Sequence, residues 1–319
     1  MPTLPIKELL PEIDPGVKSN LNQFGALIDE AINFGTHVLT WHMQTAKGAD
    51  EIAPVTFSFR HILELLGATS TCVKSSYVDL CRVLLRALLE SLLGLAYILR
   101  EDSVRRGFAF LAVEAYQRLK QMRALDKSTP ARKTLEQKLA KDTVAPGFTA
   151  EIPQEMVKES IARTEAFLQT PGPKAALSEF RRIKSKNKNS NPNWYSLYDG
   201  PQNLEQLADA LGYQSMYQFF YKYWSKSTHG VDVIQGNLVR SISGRAAVVQ
   251  LRLPKEAQSI TQISITFALH TIRLMIDAYC PEKRQDYAKW YIAEMRDPFL
   301  QLCNEEFIKI RMPGDAVPG

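Results

Sequence analysis

Apolar residues recur along most of this chain at intervals of three and four, the spacing that lines one face of an α-helix. From about Val17 to Thr45, the residues Leu21, Phe24, Ile28, Ile32 and Leu39 fall roughly on one side and predict a first helix. A loop, KGADEIAP, separates it from a second helix at about Val55 to Lys74, and a third follows from about Ser76 to Arg100. Asp102 or Ser103 is placed to cap a fourth, VRRGFAFLAVEAYQRLKQMRAL, and Ser128 with Pro130 opens a short, charged fifth. Between Thr143 and Gln202 the texture changes. Short helical stretches near 154–169 and 174–185 alternate with the breaks APG, PGP and KSKNKNSNPN, which predicts an irregular, partly mobile connection over about 143–202. Asn203 can cap a short helix ending at Gly212, and an aromatic helix runs from about Ser215 to Thr228. The segment RAAVVQLRL, Arg245 to Leu253, reads as a strand that pairs with residues just before Gly244. Two long helices, about 256–279 and 282–310, precede a tail, 313–319, that reads as disordered.

The expectation is therefore an all-α fold. A single helical domain over 15–312 would form a multi-helix bundle of eight or more helices, with the irregular middle and one small β-hairpin near 238–253.

Composition adds limits rather than a function. The chain has 319 residues, 45% of them apolar and 23% charged, which is ordinary for a folded protein. A formal charge of +5 is too small to imply a nucleic-acid partner by itself. Four cysteines, Cys72, Cys81, Cys280 and Cys303, show neither zinc spacing nor a disulfide framework, and read as small buried hydrophobes in a reducing compartment. The N-terminal MPTLPIKELLPEIDPG has prolines and acids where a signal peptide needs a basic start and an apolar run, so the expected location is the cytoplasm. One stretch, Val83 to Leu99, has nearly the length of a membrane span but carries Arg86 and Glu90 inside it. A buried helix is the better reading, and no membrane partner is expected.

Two constellations carry candidate chemistry. On a wheel of the third helix, Asp79, Arg82, Arg86, Glu90 and Tyr97 share one sector of about 120°. The remaining faces are almost entirely Leu, Val, Ile or Ala, so that charged stripe must find partners inside the fold. Arg86 and Glu90 are spaced to pair. They fix helix packing or line a polar pocket for an anion or substrate; both readings stand. On the aromatic helix, Met216, Phe219, Phe220 and Tyr223 predict a core stripe. Tyr221, Ser225 and His229 recur every four residues on another face, and Gly230 lets the helix stop. A histidine there is favoured by the helix terminus, or serves as a general acid or base. The two rows are expected to face each other, with Arg86 or Glu90 within about 6 Å of Ser225 or His229.

The other histidines carry less. His37 and His42 are five apart and point in different directions, while His61 and His270 sit in apolar helical contexts as core or boundary residues. The run Arg181, Arg182, Lys184, Lys186 and Lys188, close to Trp194, Tyr195 and Tyr198, offers charge for phosphates beside aromatics for stacking. A solvated basic loop explains the same residues. There is no phosphate loop, no G-x-S-x-G elbow and no carboxylate cluster with metal spacing, so neither a metal nor a cofactor is expected.

The stretch YVDLCRVLLRALLESLLGLAYIL resembles an aliphatic–Arg–small–aliphatic–aliphatic–Glu helix. The later WYSLYDGPQNLEQLADALGY, followed by YQFFYKYWSKSTHG, resembles a Trp, short-helix, Tyr-x-x-x-Tyr-x-x-x-Ser-x-x-x-His-Gly ending. Together they resemble the bacterial domain-of-unknown-function family 5677, over about residues 55 to 231. That resemblance implies a helical protein with marked positions at Arg86, Glu90, Tyr217, Tyr221, Ser225, His229 and Gly230. More distantly, an arginine and a histidine on neighbouring bundle helices resemble the HEPN class of metal-independent ribonucleases and toxins. The sequence departs from that class in one respect: no arginine precedes His229 at an R-x(4–6)-H spacing, the nearest basic residues being Lys226 and Lys222.

Two functional readings result. In the first, the protein is a HEPN-like ribonuclease or toxin of phage defence, with RNA and a second copy of the chain as its partners. Arg86, Glu90, Ser225 and His229 would form the catalytic set, with Arg82, Tyr97 and Tyr221 around them. In the second, it is a non-catalytic binding or scaffold protein that uses the same polar pocket.

Overall fold

The computed structural model describes residues 3–45, 48–144, 153–186, 191–228, 238–240 and 246–308. Helix α1 (Pro15–Met43) starts where the sequence supplies both a cap and a first-turn proline. The Asp14 carboxylate accepts from the amides of Gly16 (2.8 Å) and Val17 (3.1 Å). Its apolar stripe, Leu21, Phe24, Ile28, Ala31, Phe34 and Val38, is buried. α1 packs along α2 (Ala49–Lys74), which contributes Val55, Phe59, Ile62 and Leu66 to the same core. The two helices approach closely at Gly25, where the Ser70 hydroxyl donates to the Gly25 carbonyl at 3.1 Å and a carboxylate oxygen of Asp29 lies 2.6 Å from it.

After a tight turn in which buried Ser76 takes a left-handed φ of 64°, α3 (Val78–Arg100) runs through the interior. Cys81, Leu85, Leu88, Leu89, Leu92, Leu93 and Leu95 along it are fully buried. This agrees with the reading of Val83 to Leu99 as a buried helix.

Contacts divide the chain into two compact units, residues 1–99 with 208–319, and residues 100–207. In the second unit, α4 (Ser103–Leu125) packs against α6 (Gln154–Gln169) and α7 (Pro171–Lys186). Its core is built from Ala109, Ala112, Val113, Leu119, Leu168, Ala176, Leu177 and Phe180. The middle segment thus holds two regular helices near the expected positions, while 145–152 and 187–190 lie outside the described residues. α5 (Pro130–Leu139) is capped by Thr129 rather than Ser128, the Thr129 hydroxyl accepting from the Arg132 amide at 3.3 Å. A 3-10 turn at Trp194–Ser196 precedes α8 (Leu204–Leu211).

In the first unit the aromatic segment begins as α9 (Gln214–Met216), passes through a π-helical turn at Tyr217–Tyr221, and continues as α10 (Lys222–Thr228). Two three-residue strands come next, β1 (Leu238–Arg240) and β2 (Ala246–Val248). They pair antiparallel with Leu238 opposite Val248 and Arg240 opposite Ala246, at the place the hairpin was expected.

α11 (Ala257–Tyr279) is long and apolar enough to cross a bilayer by length and composition. It packs instead against α1 and α2 through Ile260, Ile265, Phe267, Ile272 and Met275. Its buried Thr261, Ser264 and Thr271 each donate to the carbonyl four residues back, at 2.7 Å, so none needs a partner elsewhere.

The closing helix is less continuous than the sequence suggests. It comprises α12 (Arg284–Trp290), a second π turn at Tyr291–Met295 and α13 (Arg296–Asn304). Pro298 supplies no N–H to the carbonyl of Glu294, within that turn. The helix ends at Asn304, short of the expected 310, and the tail 313–319 lies outside the described residues.

Candidate functional site

The charged stripe of α3 meets the aromatic segment. Arg86 Nη2 donates to the Tyr221 hydroxyl at 2.9 Å, and Arg86 Nε donates to Glu90 Oε1 at 3.2 Å. The guanidinium also lies 4.8 Å from the centroid of the Tyr221 ring, within cation–π range. Nη1 of Arg86 is buried and has no hydrogen-bond partner among the described residues. A buried cationic donor that is not fully used is costly, and it is the strongest sign of ligand chemistry in this unit. The cluster is not sealed: the Arg86 side chain is 19% exposed and that of Glu90 is 44% exposed.

Electrostatics shift both Arg86 and Tyr221 upward. Burial works against the Arg86 charge, but the Tyr221 hydrogen bond and the Tyr221 and Glu90 charges outweigh it and raise its pKa. Burial pushes the Tyr221 hydroxyl up, the Arg86 hydrogen bond pulls it down, and the neighbouring Glu90 pushes it up again. At neutral pH Tyr221 is therefore a protonated phenol beside the Arg86 guanidinium.

One turn earlier on α3, Arg82 is similarly engaged. Its Nη2 donates to Glu256 at 2.6 Å, Nη1 lies 3.6 Å from Asp79, and the guanidinium sits 5.6 Å from the Tyr223 ring centroid. Burial lowers its pKa, and the bonds to Glu256 and Asp79 more than restore it. Glu256 was not singled out in the sequence. It precedes α11 in a segment with no pattern, and only the need of Arg82 for a second carboxylate pointed toward such a residue.

Arg86 meets Tyr221, one turn before Ser225 on the row expected to face it. Other expectations require correction. Tyr97 is buried in the core, two turns beyond Glu90 and about 10 Å along the helix axis, and so lies away from this cluster. His229 and Gly230 lie outside the described residues. The predicted core stripe is also redrawn. Phe219 is 74% exposed and Tyr223 51% exposed, whereas Trp224 is buried and Phe220 stacks on it at 5.2 Å. The Lys222 amide bonds the Tyr217 carbonyl, five residues back, and the extra residue shifts the phase of every side chain beyond it.

The basic run sits in the second unit and is mostly helical, not a loop. Arg181, Arg182, Lys184 and Lys186 form the last turns of α7, where cations complement the helix terminus; Lys188 lies outside the described residues. Arg182 is held by both oxygens of Glu179, at 2.6 and 2.7 Å, and Lys184 donates to Asn191 at 2.7 Å. Trp194 packs edge-on against Phe110, and Tyr198 lies under Arg105. Exposed Arg181 and Lys186 remain the cations of that run best placed for a partner.

The other histidines are structural or exposed. His42 is buried against Tyr279, whereas His37 is exposed and His61, contrary to expectation, is 55% exposed. His270 Nε2 lies 2.7 Å from the Tyr213 hydroxyl; burial, then Arg273, holds its pKa below the usual histidine value. The unfolded chain therefore takes up this proton first as pH falls. The stability His270 contributes is present above about pH 6.5 and is lost below it, down through the folded pKa. Thermal unfolding between roughly pH 8 and pH 5 should show wild type falling more steeply than His270→Phe across that window. Parallel curves would exclude this linkage.

Among the described residues no group of His, Cys, Asp or Glu is arranged to hold a metal ion. Residues 53–241 match a family model described as a family of unknown function, DUF5677. No curated protein and no solved structure matches the chain.

Proposed function

The chain belongs to the DUF5677 family, and from that premise we propose that its Arg86 site binds the phosphodiester of a single-stranded RNA and cleaves it without a metal. The observation that carries this reading is the Arg86 guanidinium, fixed by Glu90 and Tyr221 with its buried Nη1 unspent, in a cluster that is partly exposed at Arg86 and Glu90. A preorganised cationic donor in a partly dehydrated site is what a phosphate with growing negative charge requires. Phe219 and Tyr223 support a nucleic-acid substrate, because both present exposed rings on the segment that carries Tyr221. Exposed aromatic rings beside cations are the usual platform for unstacked bases.

In this reading His229, assigned on sequence grounds, removes the proton of a ribose 2′-hydroxyl. The 2′-oxygen attacks the adjacent phosphorus, the bond to the 5′-oxygen breaks, and that oxygen takes up a proton. The products are a 2′,3′-cyclic phosphate and a free 5′-hydroxyl. Arg86 stabilises the charge on the non-bridging oxygens, and Tyr221 orients Arg86. Ser225, four residues before His229 in sequence, is assigned a positioning role in the same way.

The test is incubation of the purified protein with single-stranded RNA in excess chelator, with end-group analysis of the fragments. Cyclic phosphate ends that disappear in His229→Ala support the reading. Salt-sensitive RNA binding without fragments would leave a non-catalytic binding protein, the second reading, which the engagement of Arg86 on two sides also suits. Neither binding nor cleavage would return the trio to a purely structural role.

A further inference from the structure

The α2–α3 corner holds a pair of thiols that the site around Arg86 does not use. Cys72 sits in the last turn of α2 and Cys81 in the first turn of α3, with the left-handed Ser76 in the turn between them. Cys81 is fully buried, and Cys72 is partly open to solvent. The Cys81 sulfur points back at α2, 3.9 Å from the Thr69 carbonyl, and lies 3.8 Å from the Tyr77 carbonyl of its own chain turn. Thr69 is one helical turn before Cys72 and on the same face, so the corner brings the two side chains together.

We propose that Cys72 and Cys81 form a reversible oxidation site, in which a peroxide converts the dithiol to a disulfide that ties α2 to α3. The chemistry balances without any further cofactor. The Cys72 thiolate attacks one peroxide oxygen, the O–O bond breaks, and Cys72 becomes a sulfenic acid as hydroxide leaves and takes up a proton. The Cys81 sulfur then attacks the sulfenic sulfur. The S–O bond breaks, the Cys81 proton leaves with the departing hydroxide, and a second water forms. Two thiols and one peroxide thus give one disulfide and two waters, and an added dithiol reverses the change.

Which cysteine attacks first is set by the surroundings. The hydrogen bond from Cys81 lowers the Cys72 pKa to about 7 against the opposing effect of burial. The same bond, burial, and the charges of Cys72 and Asp79 push the Cys81 thiol up. Cys72 therefore supplies an accessible thiolate, and Cys81 stays protonated until Cys72 is oxidised. The remaining cysteines offer no such arrangement: Cys280 is buried, and Cys303 is exposed on the closing helix.

The test uses the full chain, treated with hydrogen peroxide, alkylated, digested and mapped by mass spectrometry. A cross-linked peptide joining Cys72 to Cys81, lost on treatment with dithiothreitol, is the expected result. In Cys81→Ser, a sulfenic-acid trap should accumulate on Cys72; in Cys72→Ser, Cys81 should stay reduced at the same dose. Should Cys81→Ser fold poorly, the wild-type map still decides. The proposal is overturned if Cys303 is oxidised while Cys72 and Cys81 stay reduced. It is equally overturned if Cys72 stops at the sulfenic acid in the wild type.

Discussion

Arg86→Ala is expected to lower metal-independent RNA cleavage by about two to three orders of magnitude, the usual cost of removing one preorganised donor from a developing oxyanion. The fold should survive the change. Glu90 is 44% exposed and can be hydrated once its partner is gone, and Tyr221 keeps its stacking on Tyr217 at 5.1 Å. Circular dichroism and the melting temperature should therefore stay close to wild type. Arg86→Lys retains the charge but not the three-sided fork that reaches Glu90, Tyr221 and a ligand together, and should recover only part of the activity. Cleavage by Arg86→Ala at the wild-type rate would remove Arg86 from the chemistry.

The second large effect concerns stability. Phe267 is fully buried on α11, with its ring 5.9 Å from Phe220 and 6.4 Å from Trp224, both at edge-on angles. Phe267→Ala should cost about 3–5 kcal/mol, combining lost burial with the cavity left behind. That is a large share of the ~5–15 kcal/mol that holds a typical domain together. Phe219→Ala, by contrast, removes an exposed ring and should change stability by less than about 0.5 kcal/mol. Chemical denaturation followed by tryptophan fluorescence reads both. Equal costs for the two would mean that the assignment of buried and exposed faces along 217–228 is wrong.

Periodicity made the helical fold legible because burial selects one face of each helix. α1 and α3 emerge from the spacing of their leucines, isoleucines and phenylalanines, and the hairpin from a short run of β-branched residues between breaks. The stripe Asp79, Arg82, Arg86 and Glu90 was readable for a similar reason, since charges on an otherwise apolar helix must be met. Their partners were harder to read. Tyr221 was named, but the phase of its neighbours was set by a π turn, which no 3.6-residue pattern reveals. Glu256 lies 174 residues beyond its partner Arg82 in sequence, in a segment where nothing local marks it. The Cys72 and Cys81 pairing needed the left-handed turn at Ser76, which a serine does not announce.

The π turn at Tyr217–Tyr221 bears on how this protein can change over generations. From Phe220 onward the segment serves two clients: Phe220 and Trp224 lie against α11, while Tyr221 reaches Arg86 on α3. Removing a single residue there would return the segment to ordinary helical winding and rotate the rest of the helix by about 100°. Phe220, Tyr221 and Trp224 would turn together relative to the residues before the turn, and their contacts with Phe267 and Arg86 would be disturbed at once. The length of the turn is therefore constrained as well as the identities of Phe220 and Tyr221: in this stretch a one-codon deletion is a heavier lesion than most changes of residue.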